Sequence, residues 1–189
     1  MAVEAATAGT VTVTTSVLTA AQASALEAKT ADINSMTYTV SSTADLLIAE
    51  TTDAFTNATS ITVTDATTVA KIANLNTGGG GSHTGDIDLA DMVYSLSDAG
   101  TTIAGDATTM NGAVNITATG SVTVDQLQVL AGATNSGTTT VAAVADSVAE
   151  IATATDAELN LVSGTVTANS NATATQAGTL SGFAKDVVF

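Results

Sequence analysis

The sequence predicts an α/β solenoid of about seven parallel strand–helix coils, and three observations lead to that class. Short segments alternate hydroxyl and apolar side chains, as strands buried on one face do. These segments return every roughly 22 to 27 residues, with one longer gap near 33. After each segment the apolar spacing changes from two residues to three or four. A strand followed by a helix at this period is typical of stacked repeats.

Seven segments carry the strand pattern. In chain order they are residues 10–14, 37–40, 60–64, 94–97, 115–119, 138–141 and 165–168. The intervals between them exceed the dozen residues that a crossover between parallel strands requires. The strands are therefore expected to be parallel.

The intervening stretches carry apolar residues at helical spacing. After the third, fifth and seventh segments these are Val69, Ile72 and Leu75; Val124, Leu127 and Leu130; and Ala174, Ala177 and Leu180. A second type of unit buries Tyr38, Val40 and Leu47; Tyr94, Leu96 and Ile103; and Ala142, Val144 and Ile151. Ser42, Asp98 and Asp146 follow these strands and are expected to cap the next helix. Because Ala–Thr runs favour helix only weakly, a right-handed parallel β-helix with three strands per turn is the alternative architecture.

The expected organisation is a single solenoid domain, 1–189, with a glycine-rich insertion loop at 76–91. Four consecutive glycines cannot lie inside a regular element, and the insertion accounts for the long gap between strand segments. The complete-looking Met start slightly favours a whole chain over a piece of a longer solenoid.

Composition excludes several classes of function. The net charge is −15, with three lysines and no arginine, so a nucleic-acid partner is not expected. No apolar run approaches the ~20 residues that span a bilayer, so no membrane span is predicted. Cysteine is absent and the one histidine has no recognisable catalytic partner. The chain is therefore expected not to be an enzyme.

The glycine-rich loop holds the one candidate metal site. It contains His83 together with Asp86, Asp88 and Asp91, and an Asp-x-Asp-x-x-Asp array beside glycines can supply oxygen ligands to Ca²⁺. The loop resembles the glycine–aspartate nonapeptides of calcium-binding β-rolls but lacks their regular spacing. The alternative is a solvated acidic loop with no metal.

Threonine pairs recur on the predicted strands and form a candidate ladder. Its members are Thr10, Thr12, Thr62, Thr64, Thr117, Thr119, Thr165 and Thr167. Such rows of hydroxyl and methyl groups resemble the surface of ice-binding β-solenoids. The alternative is that threonine is simply a good exposed strand residue.

Four motifs in the second half resemble repeats of large secreted, Ala/Thr-rich surface proteins of cyanobacteria and other bacteria. The motifs lie at 94–98, 114–119, 124–130 and 133–140, and the resemblance covers residues 92–183. It implies secretion and a role in adhesion or coat formation, and it implies no catalytic residues. Related repeats also occur in phage fibre-like proteins.

The expected function is a non-enzymatic extracellular or cell-surface protein that polymerises head to tail into a filament, sheath or surface layer. Neither end of the chain carries the charged cap that solenoids use to protect their ends. Phe183, Val187, Val188 and Phe189 are the expected interface, so removing the last seven residues is expected to abolish polymers. The alternatives are a calcium-dependent adhesin segment and an ice-binding β-solenoid.

Overall fold

Eight parallel strands form one sheet in this computed structural model, which describes residues 12–28, 35–50, 55–76 and 89–189. The strands are β1 Thr12–Leu18, β2 Ser35–Ser42, β3 Ala58–Thr67, β4 Met92–Ala99, β5 Ile116–Val122, β6 Thr139–Asp146, β7 Val166–Ala168 and β8 Val187–Val188. They are ordered in the sheet as they are in the chain. Each described pairing is parallel, which confirms that prediction.

A helix follows each of the first seven strands. The helices are α1 Ala20–Glu27, α2 Ala44–Ala49, α3 Val69–Asn76, α4 Gly100–Ala104, α5 Ala107–Gly112, α6 Val124–Ala131, α7 Val148–Ile151, α8 Asp156–Leu159 and α9 Ala174–Leu180. A 3₁₀ turn, Leu89–Asp91, precedes β4. The arrangement is α/β, as predicted, and the described residues do not show the alternative of three strands per turn.

Strands β1 to β7 match the seven predicted segments, but β8 was missed. Val187 and Val188 are two apolar residues in succession, too few to display the alternation on which the other predictions rest. The count of about seven strands was therefore one short.

The chain divides into two compact units. One comprises Met1–Asp65 and Ala70–Tyr94, and the other comprises Ala66–Val69 and Ser95–Phe189. In the first unit, Val40 on β2 pairs with Ile61 on β3, and both side chains are buried. Leu47 of α2 and Ile72 of α3 are also fully buried.

In the second unit a row of valines crosses four adjacent strands. Val122 pairs with Val144, Val144 with Val166, and Val166 with Val187. The first three side chains are buried and Val187 is half-buried. Burial of the row therefore decreases at β8, where the core is partly open to solvent.

Two sets of predicted core positions were wrong, and both lie in this second unit. Val141 pairs with the buried Ala118 and takes the buried place that was expected for Ala142. Ala174 and Ala177 of α9 are exposed, whereas their counterparts Val124 and Leu127 in α6 are buried. The difference is that α9 is the last helix before the edge strand.

Threonines begin most of the helices. The hydroxyls of Thr19, Thr123, Thr155 and Thr173 each accept from the backbone N–H three residues later, and a Gln or Glu at that later position accepts from the threonine N–H. This reciprocal capping box satisfies two donors that a helix start leaves free.

The prediction that Ser42, Asp98 and Asp146 cap the helices that follow them was wrong. Thr43 and Ser147 cap the helices that follow β2 and β6, and α4 has no side-chain cap. The polar residues at the ends of the strands instead accept from the first residue of an earlier helix. Four such contacts are present: Ala44 N–H to Asp65 at 2.8 Å, Val69 N–H to Asp98 at 3.1 Å, Val124 N–H to Asp146 at 3.0 Å and Val148 N–H to Ser170 at 3.0 Å.

Other side chains bridge a similar sequence interval. The Thr59 hydroxyl donates to the Tyr38 carbonyl at 3.1 Å, 21 positions away. The Asn135 amide donates to the Val114 carbonyl at 3.1 Å, also 21 positions away. The Thr138 N–H donates to the Asn115 side chain at 3.0 Å, 23 positions away. Both units thus carry hydrogen bonds between chain segments about one strand–helix segment apart.

Candidate self-association surface

The outer edge of β8 is the clearest candidate for a binding surface. Val187 pairs with Val166 and Val188 pairs with Thr167, and β8 is last in the strand order. Within the part of the chain that the structure describes, no strand lies on its other side. Unpaired backbone groups on an edge strand can bind another strand.

Apolar side chains accompany this open edge. Val188 is 50% exposed and Phe189 is 67% exposed. Phe189 lines an open groove together with Ala168, Asn171 and Ala177. Phe183, which is half-buried, and Leu180 line an adjoining concavity. The four predicted interface residues therefore lie in the same terminal segment as this edge, with Val188 and Phe189 the most exposed.

Two contacts hold the terminal segment against the unit. The Lys185 ammonium donates to the Val162 carbonyl at 2.7 Å, and the Ala184 N–H donates to Asp156 at 3.0 Å. These two hydrogen bonds join the residues just before β8 to the rest of the unit. Removing the last seven residues would also strip the partner of β7, so point substitutions test the surface more cleanly than that truncation does.

Charge is scarce at both ends of the strand order. Residues 159–189 contain one lysine and one aspartate, and residues 5–26 contain no charged side chain, in a chain of net charge −15. Edge strands of soluble proteins usually carry charges that discourage pairing. Strand β8 itself, Val187–Val188, carries no charge, and Lys185 and the exposed Asp186 stand directly before it.

The edge strand of the first unit, β1, also exposes an apolar residue. Val17 is 72% exposed, and Leu18 beside it is half-buried. The first helix, α1, exposes Ala21, Gln22 and Ala25, which are all uncharged. Glu27 is the one charged residue of the described segment 12–28.

Glu27 is buried and forms a hydrogen-bond network that sequence reasoning missed. It is 8% exposed and accepts from the Tyr38 hydroxyl, from the Asn57 N–H at 2.9 Å and from the Asn57 amide at 3.0 Å. Burial raises the pKa of Tyr38 far above its ordinary value, and the hydrogen bond to Glu27 and the charge of that carboxylate add to the shift. The one sequence feature that pointed to this network is that Glu27 directly follows a long uncharged stretch, residues 5–26.

The predicted threonine positions do not share one row of threonines in the described register. Thr62 lies beside Ser41, Thr117 lies between Ser97 and Thr140, and Thr167 lies between Ala145 and Val188. The other members are placed as follows: Thr119 beside Ala99, Thr64 exposed on β3, Thr165 exposed just before β7, Thr12 at the start of β1, and Thr10 outside the described residues. Serine, alanine and valine thus interrupt the rows.

The predicted calcium residues are only partly described. Asp91 ends the 3₁₀ turn before β4 and is half-buried, whereas His83, Asp86 and Asp88 lie outside the described residues. Among the residues that are described, no three acidic, histidine or cysteine side chains are grouped so as to hold a metal ion. None of the described helices is long and apolar enough to cross a membrane.

Comparison with known proteins gives no relative. No family model, curated protein or solved structure matches the chain. The function must therefore be argued from the fold and its exposed edges.

Proposed function

We propose that the protein is a non-enzymatic extracellular structural protein, an α/β solenoid that self-assembles head to tail into a filament, sheath or surface layer. The observation that carries this proposal is the nearly uncharged edge of β8, where Val188 and Phe189 are largely exposed. A position in solvent is unfavourable for these side chains, and a second copy would cover them.

The order of the strands supports a solenoid. A doubly wound nucleotide-binding sheet reverses its strand order at a switch point. Here the order runs from β1 to β8 without reversal. The hydrogen bonds that join residues 20 to 23 positions apart fit coils that stack on their sequence neighbours.

The two edges of the sheet differ from each other, and this difference supports a polymer that does not close into a ring. The first and last strands are different surfaces, so contact between copies would be heterologous and need not close into a ring. The resemblance of residues 92–183 to secreted bacterial surface repeats supports an extracellular location. The proposal includes calcium binding by Asp86, Asp88 and Asp91, and the bound ion is proposed to favour assembly.

Electron microscopy of the purified chain tests the proposal. Samples with millimolar-range calcium and with chelator are compared, and sedimentation velocity gives the mass distribution. Ordered filaments or sheets are expected, and their loss in chelator would assign the metal to assembly. Monodisperse single particles in both conditions, across a wide range of protein concentration, would overturn the proposal.

An ice-binding surface is the second candidate. Ser97, Thr117 and Thr140 lie side by side on three adjacent strands and form a short hydroxyl row. Thermal hysteresis of the wild-type chain, and its loss in Thr117→Leu, would favour this function. Absence of hysteresis would exclude it.

A further inference from the structure

We infer that the occupant of the β8 edge is strand β1 of a second copy, added as a ninth parallel strand with Val17 beside Val188 and Leu18 beside Phe189. The inference rests on the proposed self-assembly and specifies its partner surface and register. In this arrangement the sheet of one copy continues directly into the sheet of the next.

The faces of the two edge strands agree with this register. Leu18 pairs with the buried Val40, and Val17 pairs with Thr39, so Val17 lies on the face of β1 opposite the core. Val187 pairs with the buried Val166, and Val188 pairs with Thr167, so Val188 lies on the face of β8 opposite the core. When Val17 lies beside Val188, the outer face of β1 continues the outer face of β8. The core faces of the two strands are then also on the same side of the sheet.

Exposure supports the same pair of residues. Val17 and Val188 are 72% and 50% exposed, on the first and the last strand of the order. Two β-branched side chains on neighbouring strands stabilise a sheet when they pack together. The next pair along the register, Leu18 with Phe189, is also apolar; Phe189 is 67% exposed and Leu18 is half-buried.

The distribution of charged side chains favours contact between these two edges over contact between the acidic helical surfaces of two copies. Apart from the internally bonded Glu27, the described part of the β1 edge has no charged side chain, and the last 31 residues carry one charged side chain of each sign. The acidic residues Asp125, Glu150 and Asp156 are exposed on helices that lie between these ends in the chain, whereas the exposed Asp45 pairs with Lys71 at 2.6 Å. Two like-charged helical surfaces would repel, whereas the two edges would not.

Site-specific cross-linking tests the register, because the natural chain has no cysteine. Chains carrying Val17→Cys and chains carrying Val188→Cys are mixed and treated with a short bis-maleimide. The expected product is a covalent dimer in the mixture, with the 17–188 link identified by peptide mass mapping. Each variant alone is expected to remain uncross-linked. Val93→Cys, a strand valine that is 47% exposed, is the control and is expected not to link to Val17→Cys.

The outcomes separate this inference from the proposed function. Polymers in which position 17 links to position 188 support both. Polymers that give only 17–17 or 188–188 links, or no link at these positions, overturn the inference and leave self-assembly intact. Chains that stay monomeric by sedimentation with and without the substitutions overturn the proposed function, and the inference with it.

Discussion

The buried carboxylate of Glu27 is the residue-level feature that ties the first unit together. Its partners come from the strand β2 and from the turn before β3, so one side chain joins three successive segments. Buried charge is tolerated when donors surround it. This network also keeps the Tyr38 hydroxyl protonated, since ionising it would place a second negative charge beside the carboxylate.

Alkaline pH is expected to destabilise the first unit through Tyr38. The pKa of Tyr38 is raised in the folded state, so the unfolded chain loses the proton first, near the ordinary pKa of 10.0. The contribution of Tyr38 to the free energy of unfolding is therefore constant below the ordinary pKa. It is lost progressively as the pH rises above that value. Urea unfolding at about pH 9 and about pH 11 measures the effect.

The control for this measurement is Tyr38→Phe, whose loss of stability between the two pH values is expected to be smaller. The variant differs from the natural chain only in the Tyr38 hydroxyl, so the difference isolates that group. An equal loss in the variant and the natural chain would contradict the assignment.

At the level of elements, successive strand–helix segments are joined by side chains that cap an earlier helix. Asp146 accepts from Val124 N–H and also from Ser147 N–H at 2.7 Å. Asp146→Ala is expected to lower the free energy of unfolding by about 1–2 kcal/mol, as loss of a helix cap does. Asp146→Asn, which keeps one acceptor oxygen, is expected to lose less.

The matched control is Asp125→Ala, an exposed acid in the first turn of the same helix. It contributes only a favourable charge at the helix start, worth about 0.3–1 kcal/mol. Chemical denaturation of the three variants measures the difference. Equal losses for Asp146→Ala and Asp125→Ala would show that the bond between segments adds nothing.

Glycine at the start of α4 permits close packing of that helix on β5. A Cβ atom at Gly100 would lie 2.2 Å from the Val122 side chain, whereas one at Gly178 in α9 would meet nothing within 4 Å. Gly100→Ala is therefore expected to destabilise by about 1–3 kcal/mol. Gly178→Ala is expected to stabilise by about 0.5–1 kcal/mol, because alanine favours helix.

Thermal unfolding of the two glycine variants gives this comparison directly. A lower melting temperature for Gly100→Ala and a higher one for Gly178→Ala is the expected result. Shifts of the same sign in both variants would contradict the packing described for α4.

The strand and helix pattern of β1 to β7 could be predicted because each element repeats a local rule. Alternating Thr and Val mark the strands, and spacings such as Leu127 to Leu130 mark the helices. Features that depend on register could not be predicted. Asp98 and Asp146 look like local caps in the sequence, and only the pairing of strands brings them to an earlier helix. The burial of Glu27 and the exposure of Ala177 likewise depend on which neighbours are present.

On the scale of the whole molecule, acidic residues are concentrated between two nearly uncharged stretches of the chain, residues 5–26 and 159–189. This distribution supports contact between copies through the two uncharged stretches, because the acidic residues between them would repel those of another copy. The proposed polymer would join β8 of one copy to β1 of the next. Because that contact would be small and apolar, we expect it to be sensitive to a single charged substitution.

The most direct test of head-to-tail assembly compares Val188→Asp with Val129→Asp by sedimentation velocity and electron microscopy. Val188 lies on the edge strand and is 50% exposed, and Val129 lies on α6 and is 43% exposed. A charge at the edge is expected to reduce the chain to monomers, because pairing would bury an unpartnered carboxylate. The same charge on α6 is expected to leave polymers unchanged. Polymers that persist in Val188→Asp, or that are lost equally in both variants, would contradict the account.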